Sequence, residues 1–208
     1  MNNTNRGRLL VVSGPSGIGK GTVCKELLRR CSDLLLSISC TTRPMRPGDE
    51  EGVTYFFKTE EEFERMVQAG EFLEYAGMYG KRYGTPRAFV EKNLLEGRDV
   101  ILEIETQGAL QVIQRAKEDV TSVFLLPPSM RELHKRLVER STETPEKARL
   151  RFESAYREIE YSEQYDFVII NDQLEETVEA LRAILIASHY GADRALDHMH
   201  ALKEEQIL

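Results

Sequence analysis

The sequence predicts an α/β fold: a mainly parallel, five-stranded sheet with helices on both faces, making three layers. Three observations lead there. Five short apolar runs, Leu9–Ser13, Leu34–Ser39, Val100–Ile104, Val123–Leu126 and Phe167–Ile170, are continuous rather than alternating, the pattern of strands buried on both sides. Helical segments separate these runs, as a wound sheet requires. Capping residues, prolines and glycine stops mark where the helices begin and end.

In chain order, LLVVS (residues 9–13) is the first strand, and the glycine-rich GPSGIGKGT leads into a helix beginning near Gly19 or Lys20. Thr59 with Glu62 and Ser129 with Glu132 read as capping boxes, while Pro86 and Pro145, each after a threonine, take the first helical position. Gly97 ends the helix that starts at Pro86, and Asp172 caps the last long helix. Ala195, Leu196, Met199 and Leu202 recur at helical spacing in the tail, for packing on the core or on another subunit of a homo-oligomer. Two stretches break the alternation. Residues 39–98, with VTYFF, EFLEYA and GMYGKRYG, read as an inserted small domain of short mixed or antiparallel strands. Residues 128–163 are almost wholly helical and rich in arginine, and read as a flap. Residues 1–38, 99–127 and 164–208 make the core.

Composition sets the class. A chain of 208 residues with 41% hydrophobic and 30% charged residues buries a full core as one domain with insertions. A net charge of −7 gives no general attraction to nucleic acid or to an anionic membrane. No run of ~18 apolar residues is present to span a bilayer, and the polar MNNTNRGR carries no signal-peptide core, so a cytoplasmic location is expected. Cys24, Cys31 and Cys40 are odd in number and lack C-x-x-C spacing, which predicts reduced thiols. His198 and His200 fall on different faces of a helix and do not make a metal pair.

The stretch GPSGIGKGT fits the phosphate-binding pattern G-x-x-x-x-G-K-[ST] except that Gly21 stands where the hydroxyl belongs. A strand before it, a lysine within it and an amphipathic helix after it favour phosphate binding over a structural turn. Such a loop aims successive N–H groups at one point, the helix N-terminus adds partial positive charge, and Lys20 adds a full one. Mg²⁺ keeps several waters and leans on substrate phosphates, so either water or Thr22 covers the missing hydroxyl. Further on, Arg43 and Arg46 flank Pro44 in SISCTTRPMRPGDEEGVTYFF, and Tyr55 and Tyr83 follow. Two guanidinium groups can clamp a second phosphate; the alternative is a solvated basic turn.

Together these segments resemble the guanylate kinases, enzymes with a P-loop that move the γ-phosphoryl group of ATP onto GMP. The matching stretches include GPSGIGKG, SISCTTRPMRPGDEEGVTYFF, EEFERMVQAGEFLEYA, YGKRYGTPR, DVILEIETQGA, FLLPPS, ERSTET and VIINDQLEE, in the family's order across roughly residues 8 to 190. The resemblance implies a P-loop NTPase core, an inserted GMP-binding domain and a helical lid. It places Ser39, Arg43, Arg46, Asp49, Tyr55, Glu74, Tyr83, Thr85, Glu103 and Glu105 with GMP. Gly14, Pro15, Ser16, Gly17, Ile18, Gly19, Lys20, Gly21 and Thr22 fall on the ATP phosphates, and Asn171 falls near the adenine. Arg136, Arg140 and Arg151 fall on the arginines that close over the phosphates, and with Lys20 and Arg43 they are the catalytic set. Mg²⁺ accompanies ATP, held mainly through water and phosphates, with Thr22 as the one candidate contact from the protein.

Chemistry supports that assignment. Guanine offers N1–H and an amino group on one edge, with the O6 acceptor beside them. Glu74 can accept from both donors while Ser39 or Thr85 donates to O6. Adenine would face the wrong partners. The chain departs from the family pattern at Cys40, at Asp49 (a glutamate elsewhere), at Ser141, and in LEIE, usually LDID, where Glu103 or Glu105 helps to hold Mg²⁺ or the GMP end. Two rival readings stay open: a P-loop kinase for another nucleotide or sugar phosphate, and a non-catalytic phosphopeptide-binding module of the same fold.

Overall fold

Successive side chains of a strand point to opposite faces, and β1 (Leu9–Ser13) buries all five of its residues that way. Leu9 and Val11 enter one apolar cluster, Leu10 and Val12 the other. The structure is a computed structural model that describes residues 6–78, 80–115, 120–139 and 145–205. The remaining strands of the large sheet are β2 (Leu34–Leu36), β7 (Asp99–Glu103), β8 (Val120–Leu126) and β9 (Phe167–Ile170). Their order is β2-β7-β1-β8-β9, parallel at every pairing.

Helices α1 (Lys20–Arg30) and α7 (Leu174–Ser188) cover one face with Val23, Cys24, Leu27, Val178, Leu181 and Leu185. Helices α3 (Arg87–Leu95) and α4 (Thr106–Arg115) cover the other with Val90, Leu94, Ala109 and Val112. Each fully buried aliphatic side chain stabilises this three-layer arrangement by roughly 1.5–3 kcal/mol. A second sheet, of order β4-β3-β6-β5, is mixed: β3 (Cys40–Thr41) runs parallel to β4 (Phe56–Phe57) and antiparallel to β6 (Lys81–Pro86), which pairs with β5 (Phe72–Met78). Phe63 of α2 (Glu60–Gln68) stacks on Phe72 at 4.5 Å beneath this sheet. Helices α5 (Met130–Glu139) and α6 (Pro145–Glu160) share their own small core of Leu133, Leu137 and Ala155. Helix α8 (Leu196–Glu204) ends the described chain with Leu196, Met199 and Leu202 exposed.

Several boundaries differ from expectation. β2 stops at Leu36, where the chain leaves for the small sheet. β8 starts at Val120 because Thr121 and Ser122 are buried as strand residues despite their polarity; the N–H and hydroxyl of Ser122 both donate to Asp166 Oδ2. β9 is an edge strand rather than a buried one, so Phe167, Val168 and Ile170 remain exposed. Pro86 is the N-cap and not the first helical residue: its ψ of 118° keeps it in β6, and α3 starts at Arg87. The cap of α7 is Gln173 and not Asp172, with no side-chain capping bond. Thr59 and Glu62 make both bonds of the expected capping box. Ser129 accepts from the Glu132 N–H, while the Glu132 carboxylate accepts from Arg136 Nε. Gly97, at φ 79°, follows the end of α3 and donates to Leu94 O. Cys24, Cys31 and Cys40 are free thiols, and burial pushes the Cys24 thiol well above its ordinary range.

Candidate active site

A cleft of about 1040 Å³ opens at the C-terminal ends of β1 and β7 and runs to the small sheet. One end is the loop after β1, contributing Ser16 to Gly21. Gly19 caps α1 at φ 99°, a left-handed conformation that turns the loop into the helix with no Cβ penalty. Lys20 is only 8% exposed; its ammonium donates to Gly14 O at 2.7 Å and lies 3.4 Å from Glu105 Oε2. The loop is braced from behind. Asn171 Nδ2 donates to Ile18 O at 2.7 Å, Asn171 Oδ1 accepts from Thr177 at 3.0 Å, and Arg136 reaches Ile18 O and Asn171 O.

At the other end Glu74, on β5, is 3% exposed and accepts a 2.7 Å hydrogen bond from the Thr85 hydroxyl on β6. Burial pushes its carboxyl up to about 7, against the lowering effect of Thr85. Gly108 of α4 lies against it: a Cβ there would fall 2.3 Å from Glu74 Oε2. Between the two ends, Arg43 is 9% exposed and donates to Asp49 Oδ2 at 2.8 Å, while the same oxygen accepts from the Arg46 N–H at 2.7 Å. Arg43 and the Arg46 N–H hold the Asp49 carboxyl below the usual carboxylate range. The Arg43 guanidinium also lies over the Tyr55 ring at 5.2 Å, and Tyr55 meets Tyr83 edge-on.

Most of the expected residues therefore meet. Ser16, Gly17, Ile18, Gly19, Lys20, Gly21, Ser39, Arg43, Arg46, Tyr55, Glu74, Tyr83, Glu103, Glu105 and Arg151 line the one cleft. Asp49 and Thr85 stand behind it, bonded to Arg43 and Glu74. Thr22, Arg136 and Asn171 instead line a second, outer pocket of about 400 Å³ on the far side of Gly17–Gly19. Arg140 lies outside the described residues. The sequence reading did not select Ser37 or Thr106, whose buried hydroxyls have no hydrogen-bond partner at the cleft wall, nor Lys81, Arg157 or Glu158. Burial raises the Glu158 carboxyl, and the nearby Glu105 charge adds to this. Only helical phase, placing Ser154, Arg157, Glu158 and Tyr161 on one side of Arg151, could have signalled the last two.

Glu103 and Glu105 put two carboxylates beside the loop. Hard oxygen donors of this number suit Mg²⁺, which takes one or two carboxylates and otherwise relies on phosphates and water. Among the described residues no group of three or more His, Cys, Asp or Glu could hold an ion without such help.

The family model described as guanylate kinase matches residues 6–188. The chain belongs to the guanylate kinase family. It is 50% identical over 202 residues to a guanylate kinase of Caldanaerobacter subterraneus subsp. tengcongensis, covering 97% of this chain and 98% of that one. It is 48% identical over 203 residues to that of Clostridium perfringens (strain 13 / Type A), with 98% and 94% covered. The crystal structure of guanylate kinase from Anaplasma phagocytophilum superposes with a TM-score of 0.77 at 36% identity, covering 91% of this chain and 90% of the other. No described helix is long and apolar enough to cross a membrane.

Proposed function

We infer that the chain is an ATP:GMP phosphotransferase that binds its two nucleotides end to end in the main cleft. The observation that carries this is one continuous cavity with amide donors and Lys20 at one end, Arg43 midway and the buried Glu74–Thr85 pair at the other. The unit of residues 39–98 holds GMP, and that of 128–163 serves as the lid. Guanine N1–H and its amino group donate to Glu74, and Arg43, Arg46, Tyr55 and Tyr83 hold the GMP phosphate. Asp49 supports them by fixing Arg43. The acceptor phosphate is already ionised at neutral pH, so transfer needs alignment and charge stabilisation rather than a general base.

The loop amides and Lys20 hold the β and γ phosphates of ATP, and the adenosine extends into the outer pocket beside Asn171 and Thr22. Bound Mg²⁺ supplies charge neutralisation at those phosphates, with Glu103 and Glu105 as the adjoining carboxylates. Arg151 and Arg157 project from α6 toward the same cleft and meet charge developing on the transferred group; Arg136 acts from the outer pocket, where it also braces the loop. An arginine used in this way contributes about 10³–10⁵ in rate. Closure of the small domain and the lid once both substrates are in place excludes water and gates the transfer.

Incubation with ATP and GMP should yield ADP and GDP in equal amounts. Glu74→Gln should abolish the preference for guanine over adenine, since a site that hydrogen-bonds its substrate discriminates by roughly 10⁴–10⁵. An unchanged nucleotide profile in that variant would favour a kinase for another phosphorylated acceptor.

A further inference from the structure

Two departures noted separately in the sequence, Gly21 in the loop and Glu103 in place of the family's aspartate, meet in space. β7 pairs with β1 so that Glu103 stands opposite Val12, just before the loop begins. A Cβ built on Gly21 would lie 3.3 Å from Glu103 Oε1 and 3.6 Å from Oε2. The carboxylate thus borders the volume that a serine or threonine side chain at position 21 would enter. Its charge also bears on Cys24, the next residue along that side of α1. Thr22, the other source of a hydroxyl, is exposed and lines the outer pocket instead.

We propose that Gly21 and Glu103 are a compensating pair. The glutamate, longer than aspartate by one methylene, reaches into the space Gly21 leaves open and supplies, from the neighbouring strand, the oxygen that the loop hydroxyl supplies in G-x-x-x-x-G-K-[ST]. Glu103 is then the protein oxygen facing Mg²⁺·ATP. Glu105 remains the partner of Lys20.

The proposal rests on the kinase reading, and its test separates the two. Metal-free ATP and Mg²⁺·ATP are titrated calorimetrically into the wild type, Glu103→Asp, Gly21→Ser and the double variant, and Mn²⁺ binding in the presence of ATP is followed by electron paramagnetic resonance. Thermal melts without ligand establish that each variant folds. Glu103→Asp alone should lower the metal-dependent gain in ATP affinity about tenfold, the scale of a lost metal-site partner. Gly21→Ser combined with Glu103→Asp should return that gain to within about twofold of wild type, a non-additivity expected only of groups sharing one task. Equal losses from Glu103→Asp in both backgrounds, or no loss in either, would overturn the pair. Failure to phosphorylate GMP in the wild type would instead strike at the kinase reading, while leaving the Mg²⁺·ATP titrations interpretable.

Discussion

Placing alanine at position 108 sets one methyl group against the residue held to read guanine. The added Cβ would fall 2.3 Å from Glu74 Oε2 and 3.0 Å from its Cδ, against a comfortable non-bonded separation of about 3.5 Å. Either the carboxylate or the start of α4 must move by about 1 Å to relieve this. The carboxylate has little room, being buried and tied to Thr85 at 2.7 Å. A displacement of that size at a positioning group costs up to about 10² in rate, so Gly108→Ala should lower kcat/KM for GMP by roughly 30- to 100-fold. ATP affinity should change less than about twofold, because the loop and Asn171 are untouched. Overpacking of about 1–3 kcal/mol is partly offset by the better helix propensity of alanine, about 1 kcal/mol, so the melting temperature should fall only slightly. A coupled assay of ADP release with GMP varied, alongside calorimetry with ATP, gives both numbers. An alanine variant with wild-type kcat/KM for GMP would refute the placement of guanine against Glu74.

Glu74 also predicts a pH dependence of stability in the unliganded protein. Its carboxyl is raised from 4.5 to about 7 by burial, so the contribution is full below pH 4.5, falls as pH rises, and is lost above about 7. That gap corresponds to ~3 kcal/mol; urea unfolding of wild type against Glu74→Gln at pH 5 and pH 8 measures it, and a parallel pH response in both proteins would exclude the effect. Asp49→Asn should raise KM for GMP about tenfold with kcat largely retained, since it weakens a charge-assisted bond that orients Arg43. Asp49→Glu, which restores the residue more usual in the family, should stay close to wild type; equal losses in both variants would count against an orienting role.

The core was legible in the sequence because its signal is local. LLVVS and FVII kept their predicted limits, and the Thr59–Glu62 box formed as read. Failures came where distant partners decide. Thr121 and Ser122 extend β8 because Asp166 satisfies a hydroxyl that sequence alone leaves buried and unpaired. FVII looks like a central strand, yet nothing in four apolar letters says that no strand pairs beyond it. At the site, the glycine-rich loop lines the cleft as its spacing predicts, whereas Ser37 and Thr106, which stand inside the SISCTTRPMRPGDEEGVTYFF and DVILEIETQGA stretches, are notable as unpartnered hydroxyls only once their burial is seen. The sequence brought Glu103 and Glu105 near the loop as alternatives; that Glu103 is the one facing Gly21 depends on the register of β7 against β1.

The small sheet sets a length. Glu74 lies on β5, Tyr83 and Thr85 on the adjoining β6, and β3 leads directly into Arg43. From β5 to β3 is two inter-strand steps, about 10 Å, held by backbone hydrogen bonds rather than by flexible loops. With GMP placed as proposed, a ligand whose purine edge and phosphate are separated by a different distance would not engage both grips at once, and the sheet would work as a gauge. A nucleoside would leave the arginine end empty, and a nucleotide carrying further phosphates would crowd it, so the unit should accept the monophosphate and release the diphosphate made from it.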